Sequence, residues 1–192
     1  MPGRRFLALI ALLGCVAAGC SEADSDPPPD EPSSQPADDT QTAKSQPTGA
    51  DVAVPTMPGR AEKDTLRGAE AFVRHYIDLL NYASDTGHVA PLKSASGRHC
   101  GGCLDYVELY KSVYQRGGYF REGDWIPQPQ VLKQRFHGTV RLIVTVDSQP
   151  GRYRERASAP VESYGSNQYS LTFVVGHRHG RWIVRQFDGN ET

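Results

Sequence analysis

The sequence has few of the residues that enzyme sites and metal sites use. It contains four cysteines and six histidines in 192 residues. The histidines are scattered, and none has a recognisable spacing to a carboxylate or a serine nucleophile, so we predict no catalytic residues. A structural zinc site needs four ligands, and the sequence has neither a second Cys-x-x-Cys pair nor a His-x-x-x-His pair. We therefore predict no metal and no cofactor.

Long apolar runs are also absent, apart from a short one near the N-terminus. Arg4 and Arg5 precede an apolar stretch of 13 residues, 6–18. A bilayer-spanning helix needs about 18 or more, so this stretch has the layout of a cleaved export signal and not of a membrane anchor. No later stretch approaches that length, so we expect no spanning helix.

The end of the apolar stretch resembles the lipobox of bacterial lipoproteins. Small residues run from Ala17 to Gly19, and Cys20 follows directly before a polar segment. The usual motif has leucine where this chain has Ala17. The alternatives are a shorter box ending at Cys15 and an ordinary cleaved signal peptide. We predict a signal peptide at residues 1–19 and lipidation, including palmitate, of Cys20, which implies anchoring to the outer face of the cell membrane.

Residues 20–59 are predicted to form a disordered linker. Eight of the fourteen prolines lie in this range, and eight acidic residues face a single basic one, Lys44. Such a segment buries too little apolar surface to offset the conformational entropy that folding removes. Residues 60–192 carry a net charge of +4, and their length suits one globular domain.

The predicted domain places helices before strands, which indicates the α+β class. Helical periodicity covers residues 64–82 and 103–116, with a short helix or turn at 86–96 between them. Alternation of apolar and polar residues then predicts strands at 131–136, 139–147, 153–157, 161–164, 169–175 and 181–188, with residues 176–180 as a turn. We expect the helices to pack against a curved antiparallel sheet.

These elements resemble the nuclear-transport-factor-two-like fold, a cystatin-like or SnoaL-like cone, and within it an actinobacterial lipoprotein family of unknown function. The matching features are Phe72, Tyr76, Asn81-Tyr82-Ala83, Cys100, Cys103, Gly117-Gly118 and Trp125. The resemblance implies a pocket between helices and sheet, and homodimer formation through the sheet. It implies no catalytic residues.

Cys100 and Cys103 form a Cys-x-x-Cys pair, which has three interpretations. With Cys20 lipidated and Cys15 removed, they are the only cysteines left outside the cytoplasm, so we predict a disulfide between them. The alternative is a thiol–disulfide oxidoreductase, because a cysteine at a helix N-terminus beside Arg98 would have a lowered pKa. A metal site would have only His99 as a third ligand.

Three sets of residues are candidates for binding. Arg152, Arg154 and Arg156 alternate and, in a strand, would present one basic face to anionic cell-wall polymers or lipid headgroups; a solvated strand is the alternative. His177 and His179 could hold a metal, but exposed turn residues are the simpler interpretation. Five aromatic residues are candidates for a pocket lining: Tyr76, Tyr110, Tyr114, Trp125 and Trp182.

The sequence thus predicts an exported, lipid-anchored binding or accessory module and not an enzyme. Its expected partners are the membrane, through the anchor, and a small ligand, a cell-wall polymer or an envelope protein. Nucleic acid is excluded by the predicted location. The thiol–disulfide oxidoreductase remains the alternative function.

Overall fold

The structure is a computed structural model that describes residues 52–192. The predicted signal peptide, the predicted lipidation site Cys20 and most of the predicted linker lie outside the described residues. Within 52–192, no helix has both the length and the apolar character that crossing a membrane requires.

Three α-helices open the described region, after a short 3-10 turn at Gly59–Glu62. Helix α1 spans Leu66–Thr86, α2 spans Ala90–Ala95 and α3 spans Gly101–Gln115. The Thr65 hydroxyl accepts a hydrogen bond from the Gly68 amide at 3.0 Å and caps α1. Gly87, at φ 71°, ends it. All three helices follow the predicted order.

Seven antiparallel strands in two sheets follow the helices. Strands β2, β3, β6 and β7 form a four-stranded sheet in that order, and β1, β4 and β5 form a three-stranded sheet in the order β1-β4-β5. Their bounds are Tyr119–Glu122 for β1, Trp125–Phe136 for β2, Thr139–Ser148 for β3, Gly151–Arg154 for β4, Glu162–Tyr164 for β5, Asn167–Arg178 for β6 and Arg181–Glu191 for β7. Helices followed by antiparallel sheet confirm the predicted α+β class.

One hydrophobic core joins the helices to the larger sheet. The inward residues of α1 and of strands β3, β6 and β7 form its centre, and the side chains of Phe72, Tyr76 and Phe173 are completely buried there. The ring of Phe187 stacks on that of Phe173 with centroids 4.8 Å apart. Side chains therefore fill the space between α1 and the sheet, where the resemblance implied a pocket.

The strands differ from the prediction at four places, one of which is β4: it spans Gly151–Arg154 and not the predicted 153–157. Strand β1 was not predicted, and β2 begins at Trp125 instead of residue 131. Pro127 and Pro129 are tolerated because β2 is an edge strand with an irregular register between Pro127 and Val131. The predicted turn at 176–180 is only the pair His179-Gly180, since β6 continues to Arg178.

The residues just before the predicted domain boundary contact the domain. Val54, Pro55 and Met57, assigned from composition to the linker, line a groove together with Phe72 and Leu79 of α1. Apolar residues within this proline-containing segment supply that contact, which composition alone does not reveal.

Candidate functional site

The five aromatic residues predicted to line a pocket do not share one cavity. Tyr76 is fully buried in the core, and its hydroxyl is hydrogen-bonded to Ser96 Oγ at 2.8 Å. Trp182 is also buried and lines the groove beneath residues 54–57. Only Tyr110 and Trp125 line a common cavity. That cavity is the candidate functional site, here called the aromatic recess.

The aromatic recess lies where α3 meets the strands and has a volume of about 160 Å³. Six aromatic side chains dominate its lining. Leu109, Ser84, Gly123 and Ser148 complete it. The aromatic residues are Tyr106 and Tyr110 from α3, Phe120 from β1, Trp125 from β2, Tyr164 from β5 and Tyr169 from β6.

The rings of the recess support one another through edge and tilted contacts. The Tyr106 ring meets that of Trp125 edge-on at 5.7 Å, and Trp125 in turn contacts Tyr169 at 5.8 Å. Tyr110 meets Phe120 edge-on at 5.4 Å. Such pairs contribute beyond their buried area and restrict ring motion, so the recess is a preformed surface.

Helix α1 holds the start of β2 in place beneath the recess. The Asn81 amide donates to the Trp125 carbonyl at 3.0 Å, and the Trp125 amide donates to Asn81 Oδ1 at the same distance. This reciprocal pair fixes the backbone from which the indole projects. Asn81 was part of the motif that carried the family resemblance, and its structural role is this clamp.

Tyr114 has a structural role beside the recess. Its hydroxyl donates to the Ser84 carbonyl at 2.7 Å and accepts from Arg121 at 3.2 Å. Arg121 also donates to the Phe120 carbonyl at 2.7 Å. The Tyr114 phenol thus links the end of α1 to β1. It does not line the recess.

Two glycines allow Tyr164 to lie against the backbone. A Cβ atom added to Gly123 would lie 2.1 Å from the Tyr164 hydroxyl oxygen, and one added to Gly151 would lie 2.5 Å from it. Gly123 also has φ +83°, which side chains disfavour. The backbone at these positions therefore brings β5 close enough to close the recess.

Three carboxylates lie near the recess. Burial raises the pKa of Asp85 to about 6, and the Asp124 carboxylate adds to the rise while Arg121 opposes it. Burial also raises the pKa of the Tyr164 hydroxyl, and the carboxylates of Asp85, Asp124 and Glu122 raise it further. An anion in the recess would meet the same repulsion.

The recess lining holds two serine hydroxyls, of Ser84 and Ser148, but no side chain that commonly serves as their general base. It contains no histidine, cysteine, lysine or carboxylate. Burial raises the pKa of both Tyr106 and Tyr110 above the ordinary value of tyrosine, so their phenols stay protonated. Within residues 52–192, no group of three or more His, Cys, Asp or Glu side chains is placed to hold a metal ion.

Cys100 and Cys103 form a disulfide with an S–S distance of 2.01 Å. Both residues are at most 1% exposed and belong to the hydrophobic core. Thiol–disulfide exchange needs an accessible sulfur for attack. The geometry therefore does not support the alternative function of an oxidoreductase, and the disulfide attaches the start of α3 to the core.

The predicted basic face of three arginines is absent from the described strands. Arg152 and Arg154 lie in β4, but the strand ends before Arg156. Arg152 pairs with Glu122 at 3.4 Å. The guanidinium of Arg154 lies over the ring of Tyr119, 4.9 Å from its centroid. Arg152 and Arg154 are therefore engaged by neighbours on the smaller sheet, whereas the alternation pattern predicted a basic face that was free to bind anions.

The two histidines predicted for the turn have different surroundings. His177 lies within β6, with its ring 4.8 Å from that of Trp182 and Nε2 3.1 Å from the Glu62 carbonyl oxygen. His179 lies in the turn at φ 52° and is exposed.

Four aromatic residues of the recess were missed from the sequence: Tyr106, Phe120, Tyr164 and Tyr169. Tyr106 shares a helical face with Tyr110, one turn away, which was an available signal. Phe120 and Tyr164 lie in the short strands β1 and β5, and only the three-dimensional arrangement brings them to α3.

Comparisons with known proteins place the chain in a family and a fold. Residues 33–188 match the family described as "Family of unknown function (DUF6318)". No curated protein matches the chain. The crystal structure of the intermembrane space region of the chloroplast protein ARC6 is similar with a TM-score of 0.50 and 10% identity, covering 68% of this chain and 99% of that one.

Two further solved structures are similar at lower scores. One is an uncharacterised protein with a cystatin-like fold from Caulobacter vibrioides, with a TM-score of 0.43, 9% identity, and coverage of 65% of this chain and 90% of that one. The other is a putative calcium/calmodulin dependent protein kinase II association domain from Xanthomonas campestris, with a TM-score of 0.40, 8% identity, and coverage of 73% and 97%. These likenesses concern the fold alone.

Proposed function

Since the chain belongs to the DUF6318 family, whose function is unknown, we propose a function from its own residues: an exported, lipid-anchored module that binds a small ligand and performs no chemistry on it. The single observation that carries the binding part is the aromatic recess. Six rings line it, and its lining contains no histidine, cysteine, lysine or carboxylate. The anchoring part rests on the lipobox-like sequence that ends at Cys20.

The ligand class follows from the volume and charge of the recess. Its volume of about 160 Å³ is below the roughly 300–1,000 Å³ of drug-sized pockets, so it suits one compact group. Aromatic faces attract cations, and the nearby Asp85 and Asp124 carboxylates have the complementary charge. The group is a compact cation, of the size and type of an alkylammonium, carried by a small molecule or by an envelope component.

The test compares two probes of nearly equal shape and different charge. Choline carries a quaternary ammonium, and 3,3-dimethyl-1-butanol is its neutral isostere. Calorimetric titration of the full chain is expected to show binding of choline and at least about tenfold weaker binding of the alcohol, because the cation–π contribution is lost. Equal binding of the two probes, or no binding of choline, would contradict the proposed ligand class.

A pair of variants locates the binding. Tyr164→Ala removes a partly exposed ring from the recess lining. Phe136→Ala removes an exposed ring, 46% accessible, from the end of β2 outside the recess. Choline affinity is expected to fall about tenfold in the first variant and to stay unchanged in the second. Equal effects of the two substitutions would show that the recess is not the binding site.

The anchor is tested at the two N-terminal cysteines. Labelling cells with a palmitate analogue is expected to mark the wild-type chain and the Cys15→Ala variant, and to leave Cys20→Ala unmarked and in the soluble fraction. An unmarked wild-type protein would overturn the anchoring proposal. Loss of label only in Cys15→Ala would move the lipidation site to the shorter box.

A further inference from the structure

A second cavity, distinct from the recess, lies along the first half of α1. This cleft has a volume of about 560 Å³ and is walled by Pro58 and Arg60 before α1, by α1 itself, and by Lys133 of β2. The α1 residues in its lining lie between Arg67 and Asp78. The recess contacts α1 only at Ser84, near the other end of the helix. We call this second cavity the basic cleft.

Positive charge dominates the basic cleft. Four cationic side chains, Arg60, Arg67, Arg74 and Lys133, face two carboxylates, so its net charge is +2 with His75 neutral. One carboxylate, Glu70, is already occupied by Lys133 and by Arg74, whose guanidinium lies 3.5 Å away. The cleft therefore has unbalanced positive charge on three separate elements.

Arg60 and Arg67 supply that excess. Neither forms an ion pair with another residue in the range 52–192, and both are exposed. A guanidinium presents a planar fork of donors that matches phosphate or carboxylate oxygens. Two such groups beside one cavity form the donor set that an oxyanion requires.

His75 provides an independent indication of a ligand. The residue lines both the cleft and the groove beneath residues 54–57 although it is only 5% exposed, and its Nδ1 is buried with no hydrogen-bond partner among the described residues. Buried polar atoms are nearly always hydrogen-bonded, and an unpaired one requires an explanation. Burial lowers the pKa of His75 while Asp78 partly opposes this, so the imidazole is neutral at neutral pH and able to donate or accept.

We infer that the basic cleft binds a phosphate group, held by Arg60 and Arg67 and seated against the buried imidazole of His75. A dianionic phosphate would balance the net charge of the cleft. This site is independent of the proposed function of the recess, and its failure would leave that function untouched. The phosphate could belong to a soluble phosphate ester or to a lipid headgroup, which two arms of one experiment distinguish.

The first arm uses inorganic phosphate and glycerol phosphate in solution with the full chain carrying Cys20→Ala. Saturable binding is expected, with a shift of the His75 ring resonances in the NMR spectrum. Arg60→Gln/Arg67→Gln is expected to weaken binding at least about tenfold, because charge-assisted hydrogen bonds are lost. Asp78→Asn is expected to strengthen it, since a repelling carboxylate is removed.

The matched control is Arg152→Gln/Arg156→Gln, which removes the same charge from exposed residues of the smaller sheet region. Phosphate affinity is expected to remain unchanged. An equal loss in this control would show that overall charge, and not the basic cleft, attracts the anion, and would overturn the inference.

The second arm measures sedimentation of the same chain, and of its Arg60→Gln/Arg67→Gln variant, with vesicles of phosphatidylglycerol. Binding that the variant loses would assign the phosphate to a lipid headgroup, and cleft-dependent binding confined to the soluble probes would assign it to a soluble ester. Both results support the site. Absence of cleft-dependent binding in both arms overturns it.

Discussion

The two glycines between the disulfide cysteines are expected to differ sharply in their tolerance of alanine. A Cβ atom at Gly102 would lie 2.1 Å from the carbonyl oxygen of Phe187, whereas one at Gly101 would meet nothing within 4 Å. A carbon–oxygen contact needs about 3.3 Å, so Gly102→Ala requires α3 to move about 1 Å away from β7. The helix cannot do this freely, because Cys103 holds its first turn in the core.

The expected magnitude follows from this overpacking. Forcing an extra carbon into a packed contact costs about 1–3 kcal/mol, and each kcal/mol lowers the Tm of a domain of this size by about 4 °C. Gly102→Ala should therefore lower Tm by about 4–12 °C. Gly101→Ala should leave Tm unchanged or raise it slightly, since alanine favours helix over glycine by up to about 1 kcal/mol.

Thermal unfolding of the two variants, followed by circular dichroism with the disulfide intact, measures the difference. Equal Tm values for Gly101→Ala and Gly102→Ala would refute the reasoning, because they would mean that α3 does not approach β7 as closely as the structure has it.

Three further predictions concern the Asn81 clamp, the Asp85 carboxyl group and the disulfide. Asn81→Ala should lower the free energy of unfolding by about 1–3 kcal/mol in urea titration and shift the emission of Trp125, since two hydrogen bonds to its backbone are lost; an unchanged emission would contradict the clamp. The raised pKa of Asp85, about 6, means that the folded state disfavours its charged form, so stability should fall as the pH rises from about 4 to 6. Asp85→Asn should lessen this fall in Tm, and an identical pH profile of the variant and the wild type would contradict the prediction. Because Cys100 and Cys103 are both buried, a reductant should reduce their disulfide, and a thiol reagent should then label them, only when denaturant is present. Rapid reduction of the native protein would contradict this prediction.

Periodicity predicted the main elements because their buried faces are regular. Helix α1 buries Phe72, Tyr76 and Leu80 at helical spacing, and β3 buries every second residue from Val140 to Val146. The short strands β1 and β5 lack this regularity, since their burial depends on the neighbouring elements. Strand β2 was cut short in the prediction because proline usually interrupts strands, and its tolerance here comes from the position of β2 at the sheet edge.

The candidate site was predictable only in part. Tyr110 and Trp125 were selected as aromatic residues, and so were Tyr76 and Trp182, which the fold buries in or beside the core. Aromatic side chains serve both as core residues and as pocket linings, and sequence does not distinguish the two roles. The basic cleft had no sequence signal, since its cations come from three elements that only the fold brings together.

The proposed binding function of the aromatic recess is tested most directly by the emission of Trp125. The chain has two tryptophans, and Trp182→Phe leaves Trp125, which lines the recess, as the only reporter. Choline is expected to change its emission saturably, and 3,3-dimethyl-1-butanol at the same concentrations is expected to change it much less. An emission that choline leaves unaltered, or that both probes alter equally, would contradict a recess that binds a compact cation.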